Sequence, residues 1–347
     1  MIHQTDRKQN KSETLGKGIS NMGKFTKFTF AAGLSAVMAT GAVAQDRQYV
    51  NIGTAGIGGG YYPTGGFICN VLNKSRKDNG HNIRCTVEST GGSVANMRSI
   101  QVGDLEVGIA MSAWQYHSWN GSDRFAEDGK NEDLRFLFSL HADAAHIVTR
   151  ADSGIEDFRG LEGKVVNTGN AGSGTEAQVY EMLARYGVEA DTFFKQETKL
   201  TSKEQAQALC DGKIDAFFYP TAVGAASILE ATNTCDAKVV SWNDEVVAAK
   251  MEEQPFVIPV VIPAGTYKGQ EEEVVSWGTP ATINAHKDTP EDVVYNMVKA
   301  VFDDFEAFKA QSPMYNAVQI ETAATAGRTA PYHPGAERYF REVGLLK

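Results

Sequence analysis

The chain has 347 residues, with 33 Lys and Arg against 43 Asp and Glu, a formal net charge of −10. No basic run interrupts that acidity, which argues against binding nucleic acid through phosphate neutralisation. The longest apolar run, residues 28–41, is too short and too rich in Gly, Ser and Thr to span a bilayer.

That run has another reading. Met22-Gly23-Lys24-Phe25-Thr26-Lys27 supplies a short basic segment before it, and Ala42-Val43-Ala44 gives an A-x-A cleavage pattern before Gln45. The expectation is a signal peptide over 22–44, cleaved after Ala44, with residues 1–21 upstream and translation starting at Met1 or Met22. Segment 1–44 holds six Lys/Arg and two Asp/Glu, so its removal takes the charge from −10 to −14 and leaves 347 − 44 = 303 residues. That is long enough for two lobes with separate cores. A periplasmic chain meets little ATP or NAD, and no cofactor is expected.

Tyr49–Gly53 alternates as a strand, and the glycine-rich turn 53–62 leads to a helix over 63–75 with Pro63 near its start. Arg84–Glu88 is a second strand. Thr90-Gly91-Gly92-Ser93 opens a helix over 94–102, with Ser93 as its N-cap. Val107–Met111 is a third strand. Leu134–Leu140 and His146–Thr149 read as two more. The pattern then restarts, with strand 163–167, the turn Gly169–Thr175, helix 175–186, helix 202–211 and strand 214–219. Residues 255–269, with Pro255, Pro259, Pro263 and Gly265, read as an irregular crossing segment, and 290–347 as helices packing back on the first half. Strands alternating with helices predict an α/β fold with parallel sheets.

The four cysteines, Cys69, Cys85, Cys210 and Cys235, allow three connectivities. Cys69–Cys85 with Cys210–Cys235 is favoured, because each bridge then staples neighbouring elements of one lobe, contributing about 3 kcal/mol apiece. No C-x2-C stands near histidine at ligand spacing, so no metal site is predicted.

Two Gly/Ser helix starts, each straight after a strand, lie in opposite halves. Ser93 begins one. Gly172-Ser173-Gly174-Thr175 begins the other, where Ser173 and Glu176 fit a capping box. Ligands of open α/β sheets sit beyond the carboxyl ends of strands, and helix N-termini attract anions. Two facing starts would clamp a carboxylate, with direct hydrogen bonds outweighing the dipoles. Among the aromatics, Tyr61, Trp114 and Tyr219 are candidates for the cleft wall. Catalytic readings are weaker. The turn 53–66 lacks a P-loop ending, and Gly91–Ala95 misses G-x-S-x-G by its last residue. A secreted serine hydrolase using Ser93, with His286 or His333 as base, is the alternative. His141 and His146 point to opposite faces of an extended chain and cannot share a metal.

Six segments in order carry a resemblance: Gly53-Thr54 with Gly59–Pro63; Glu88–Val94; Gly172–Thr175; Lys213–Phe218; Ile262–Tyr267; and His333–Tyr339. Over nearly all of the mature chain it resembles the TAXI family of solute-binding proteins, extracytoplasmic receptors of TRAP transporters. The resemblance implies a two-lobed periplasmic-binding-protein fold (type II-like) with a hinge and central cleft. It implies a non-catalytic monomer that passes a glutamate-like or C4/C5 dicarboxylate ligand to a TRAP permease. A sensor docking on a membrane kinase is a further alternative. By the resemblance Thr54, Tyr61, Thr90, Gly91, Gly92, Ser93, Gly174 and Thr175 face the ligand. Met111-Ser112-Ala113 and Thr221-Ala222-Val223-Gly224 depart from the family pattern, and both remove polar groups, which points to a ligand less polar than glutamate. The expected lobes are 45–150 plus 277–347, and 151–276.

Overall fold

The computed structural model describes residues 47–347, so the expected signal peptide, 22–44, lies outside the described residues. Ten strands form one mixed sheet: β1 (Gln48–Gly53), β2 (Ile83–Glu88), β3 (Val107–Met111), β4 (Leu134–Arg150), β5 (Val165–Asn167), β6 (Gln196–Thr198), β7 (Ala216–Thr221), β8 (Ala237–Val240), β9 (Ile258–Ile262) and β10 (Val274–His286). The main order is β2-β1-β3-β10-β4-β7-β5-β6, with β8 beside β4 and β9 beside β10. The helices are α1 (Tyr61–Lys74), α2 (Ser93–Gln101), α3 (Ser112–Asn120), α4 (Gly174–Tyr186), α5 (Ala190–Phe193), α6 (Gln205–Cys210), α7 (Ala226–Thr234), α8 (Glu245–Glu253), α9 (Glu291–Phe302), α10 (Phe305–Lys309), α11 (Ile320–Thr325) and α12 (Pro334–Glu342). Among the described residues, no helix is long and apolar enough to cross a membrane.

The fold has two lobes, and β4 and β10 run through both. At one end β10 pairs with β3, through Ala281–Ala285, and with the start of β4. At the other, Val274–Gly278 of β10 pairs with β9, while Ala144–Thr149 of β4 pairs with β7. The sequence reading took Leu134–Leu140 and His146–Thr149 as two separate strands, where the structure has one, β4. The strand is continuous because Ala142, Asp143 and Ala144 pair with Pro280, Thr279 and Gly278 of β10, and Tyr61 gives the buried carboxylate a partner by donating to Asp143 Oδ2 at 2.5 Å. The expected irregular crossing at 255–269 is instead partly strand β9; the crossings are made by β4 and β10. In β10, Pro280 cannot donate to the ladder, and the register shifts between Pro280 and Thr282.

Each lobe has its own apolar centre. In the first, Ile68 and Leu72 of α1 and Met297, Val298 and Phe302 of α9 cover Val50, Ile52, Ile109 and Ile283 of the sheet. The C-terminal helices thus pack on the first lobe, as the sequence suggested. His333 fastens α12 there: its Nδ1 accepts from Gly335 N at 3.2 Å and its Nε2 donates to Thr289 O at 2.9 Å. In the second lobe, strand alternation sends Phe218 of β7 to one face, with Phe158, Met182 and Trp242, and Phe217 to the other, with Leu209, Ile228 and Tyr267.

Both favoured disulfides form: Cys69–Cys85 joins α1 to β2, and Cys210–Cys235 joins the end of α6 to the end of α7. Each closes a short loop, of separation 16 and 25. Replacing either pair by serine is expected to lower the unfolding free energy by about 3 kcal/mol, read from urea denaturation.

His146 on β4 is fully buried, its Nε2 accepting from the Tyr267 hydroxyl at 2.9 Å and its Nδ1 2.8 Å from Ala144 O. Burial lowers its pKa from 6.5 to about 4. Below pH 6.5 the unfolded chain therefore takes up a proton that the folded chain refuses. Its stability contribution is intact above pH 6.5 and is lost progressively as pH falls to about 4. Denaturant midpoints across that window should fall with acid, and less steeply in His146→Gln.

Candidate functional site

Three helices start beside one another at the junction of the lobes. Helix α1 follows the glycine-rich loop after β1, α2 follows the turn after β2, and α4 follows the turn after β5. Each lies just past the carboxyl end of a parallel strand, where the amides of a first helical turn are left without intrahelical partners. The α2 turn requires glycine: Gly92 sits at φ 104°, ψ −156°, which a side chain would strain. The expected N-cap therefore moves one residue, from Ser93 to Gly92. Ser93 opens the helix, and its Oγ accepts from Met111 N at 3.2 Å. On α4 the cap is as expected, with Ser173 Oγ accepting from Glu176 N at 3.1 Å. The glutamate returns to Gly172 N at 3.0 Å rather than to Ser173 N. No hydrogen bond of the described residues uses the amides of Ser93, Val94, Gly174 or Thr175.

Between these starts lies a cavity of about 50 Å³, room for a few waters or a compact solute in this closed state. The lobes meet around it. Ala95 N donates to Gly172 O at 3.2 Å, Asn170 Nδ2 to Gly91 O at 3.2 Å, and Ser227 N to Gly58 O at 3.2 Å. Arg124 lies over the Tyr180 ring, 5.0 Å from its centre. Eight of the expected residues line the cavity: Tyr61, Gly91, Gly92, Ser93, Ser173, Gly174, Thr175 and Tyr219.

Four others lie outside its wall. Thr54 is buried, with its hydroxyl on Glu88 O at 2.6 Å. Thr90 supports the turn from behind, bonding Thr54 O and Asn96 Oδ1 and accepting from Gly92 N. Trp114 is fully buried in α3 among Met97, Phe125 and Leu134, so it is core and not cleft. Gly172 makes the interlobe contact with Ala95 and turns away from the cavity. His286 and His333 also lie elsewhere. His286 stands between Asp133 and Asp288, and His333 caps α12, so neither serves Ser93 as a base.

The sequence reading missed Asp143, Ser202 and the adaptation of Gly59 and Gly174. A side chain at Gly59 would put its Cβ 2.0 Å from the Tyr219 hydroxyl. At Gly174 it would lie 2.3 Å from Met111 Cε and 2.9 Å from Ser93 Cβ. Asp143 and Ser202 each keep a buried oxygen, Oδ1 and Oγ, without a hydrogen bond. A lone acid in the apolar stretch Leu134–Thr149 was the available signal for Asp143. Burial, and then the charge of Asp143, raise the Tyr61 pKa well above 10, so this hydroxyl stays a donor. Burial pushes Tyr219 up to about 12.

Two α/β lobes joined by paired crossing strands, with a cavity closed between them, define the two-lobed periplasmic-binding-protein architecture of type II-like form. The chain belongs to the NMT1-like family, which it matches over residues 52–344. Among solved structures it is similar to the alkanesulfonate-binding protein SsuA of Xanthomonas axonopodis pv. citri bound to MOPS (12% identity, 86% of this chain and 85% of that one, TM-score 0.43). It is also similar to the periplasmic aliphatic sulphonate binding protein SsuA of Escherichia coli (15% identity, 87% and 95%, TM-score 0.43). A third similarity is to a chain from a study of glutathione import via GshT and the cystine ABC importer TcyBC of Streptococcus mutans (12% identity, 78% and 95%, TM-score 0.49).

Gly174→Ala tests the fit of the lobes. Alanine favours the helix locally, yet its methyl would lie 2.3 Å from Met111 Cε and 2.9 Å from Ser93 Cβ across the junction. The expected result is a protein of near-native melting temperature with a larger radius of gyration in solution scattering.

Proposed function

We propose that this protein is an exported solute receptor that encloses a small carboxylate between its lobes and delivers it, chemically unchanged, to a TRAP-type membrane permease. The observation that carries this reading is the meeting of the α2 and α4 N-termini, one from each lobe, on a closed cavity. Their first-turn amides, with Ser93 and Thr175, supply the donors. Ser93 Oγ accepts the Met111 N–H and stands beside the Tyr61 hydroxyl at the cavity wall. Each helix end adds about 0.3–1 kcal/mol toward an anion, and each hydrogen bond to the charged group about 1.5–3 kcal/mol.

The lobes in this reading are 45–150 with 277–347, and 151–276, hinged where β4 and β10 cross. Closure around the solute is a hinge motion. The TRAP partner, the monomeric state and the cleaved signal rest on the resemblance and on the 22–44 sequence. Among the described residues the cavity wall includes no histidine, and His286 and His333 lie elsewhere, which favours capture over hydrolysis.

Native mass spectrometry of protein purified without refolding should show a co-purified small acid, and adding that acid back should raise the melting temperature. Ser93→Ala/Thr175→Ala should weaken its binding about tenfold or more. Unchanged affinity in the double variant would refute the assignment of these hydroxyls.

A further inference from the structure

We propose that the corner 121–126 of the first lobe is a latch: Arg124 grips the Tyr180 ring of the second lobe and sets how long any solute is held. This rests on the receptor reading and adds to it a part that never touches the solute.

The corner holds one shape. Gly121 sits at φ 61°, and a Cβ there would lie 2.6 Å from Lys130 N. Asp123, at φ 52°, is the one non-glycine residue with positive φ among the described residues. Such a conformation persists where the surroundings impose it. Here Ser122 N donates to His117 O at 3.0 Å, and Ser122 Oγ lies 2.9 Å from His117 Nδ1. Phe125 is fully buried in the cluster that holds Met97 and Trp114. Arg98 of α2 donates from Nη2 to Arg124 O at 2.7 Å. With the main chain fixed, the Arg124 side chain alone reaches across to the other lobe.

Its guanidinium carbon is 5.0 Å from the centre of the Tyr180 ring on α4. Among the described residues its one ion pair is with Asp123, at 4.0 Å, so the ring is the closer fit. Tyr180 is itself held in the second lobe. Its hydroxyl donates to Glu197 Oε2 at 3.0 Å, and Lys199 Nζ lies 4.6 Å from the same ring. A cavity of about 360 Å³ opens beside the contact, lined by Val94, Arg98 and Arg124 of one lobe and Gly172, Glu176 and Ala177 of the other. The contact therefore stands at the rim of the junction, where hinge opening would part it.

A contact made only in the closed state moves the open–closed equilibrium by its own free energy, whatever solute lies inside. An exposed cation–π pair supplies about a two- to fivefold shift. Because the pair breaks on opening, its loss should appear in release rather than in capture.

The test reads opening without a chosen solute. Ala95 N and Ser227 N bond across the lobes, so their amide hydrogen exchange, followed by NMR on the protein as purified, reports separation. Arg124→Ala should speed exchange at both about two- to fivefold, with the core amide of Ile109 and the urea midpoint unchanged. Tyr180→Leu should match it, while Tyr180→Phe, which keeps the ring, should exchange like the wild type. The double variant Arg124→Ala/Tyr180→Leu should be no faster than either single one. Wild-type rates in Arg124→Ala, a double variant whose acceleration is the product of the two, or Tyr180→Phe as fast as Tyr180→Leu would each overturn the latch and leave the receptor reading standing. Exchange of Ala95 and Ser227 only together with Ile109 in the wild type would refute the hinge, and the receptor reading with it.

Discussion

The antiparallel pairing of β4 with β10 is the constraint on which the molecule depends. Each strand belongs to both lobes, so their shared ladder fixes how the lobes face. Residues far apart in sequence, Ser93 and Gly174 among them, come together only because these two strands continue from one half into the other. Along the ladder Asp143 pairs with Thr279, next to Pro280, after which the register shifts. Among the described residues the one charged side chain on the cavity wall thus stands beside the stretch where the β4–β10 register shifts.

Much of the first lobe was legible because its helices and strands are separated by glycine turns and follow clean 2.0 and 3.6 periods. The parallel strands β1, β2 and β3 fall within a residue or so of expectation. The long strands were harder. In β4 burial on both faces removes the alternation, and His141 and Asp143 imitate a loop. The strand β10 was not foreseen at all; its internal Pro280 cannot donate to the ladder, and a register shift accommodates it. Elements between α7 and β9 gave no distinct pattern and were not foreseen.

The site divides in the same way. Gly91, Gly92, Ser93 and the Gly174–Thr175 start were readable because helix starts after strands have a local signature. Thr54, Thr90 and Gly172 share those motifs but act through the backbone that shapes the turns. Trp114 illustrates the ordinary fate of a large aromatic, which is to fill a core. Asp143 needed the tertiary structure: only there does an acid in an apolar strand meet Tyr61 from α1. Several segments behind the family resemblance have plainly architectural jobs. Tyr267 bonds His146 and Gly224, and a side chain at Gly335 would strike Glu291 O at 2.3 Å.

The contacts by which the lobes touch are largely main-chain groups: Ala95 to Gly172, Ser227 to Gly58, and Gly91 as the acceptor for Asn170. Amides and carbonyls are common to every residue type. Evolution can therefore rewrite the few side chains that choose a cargo without retuning the grip itself, and one jaw mechanism can serve many diets.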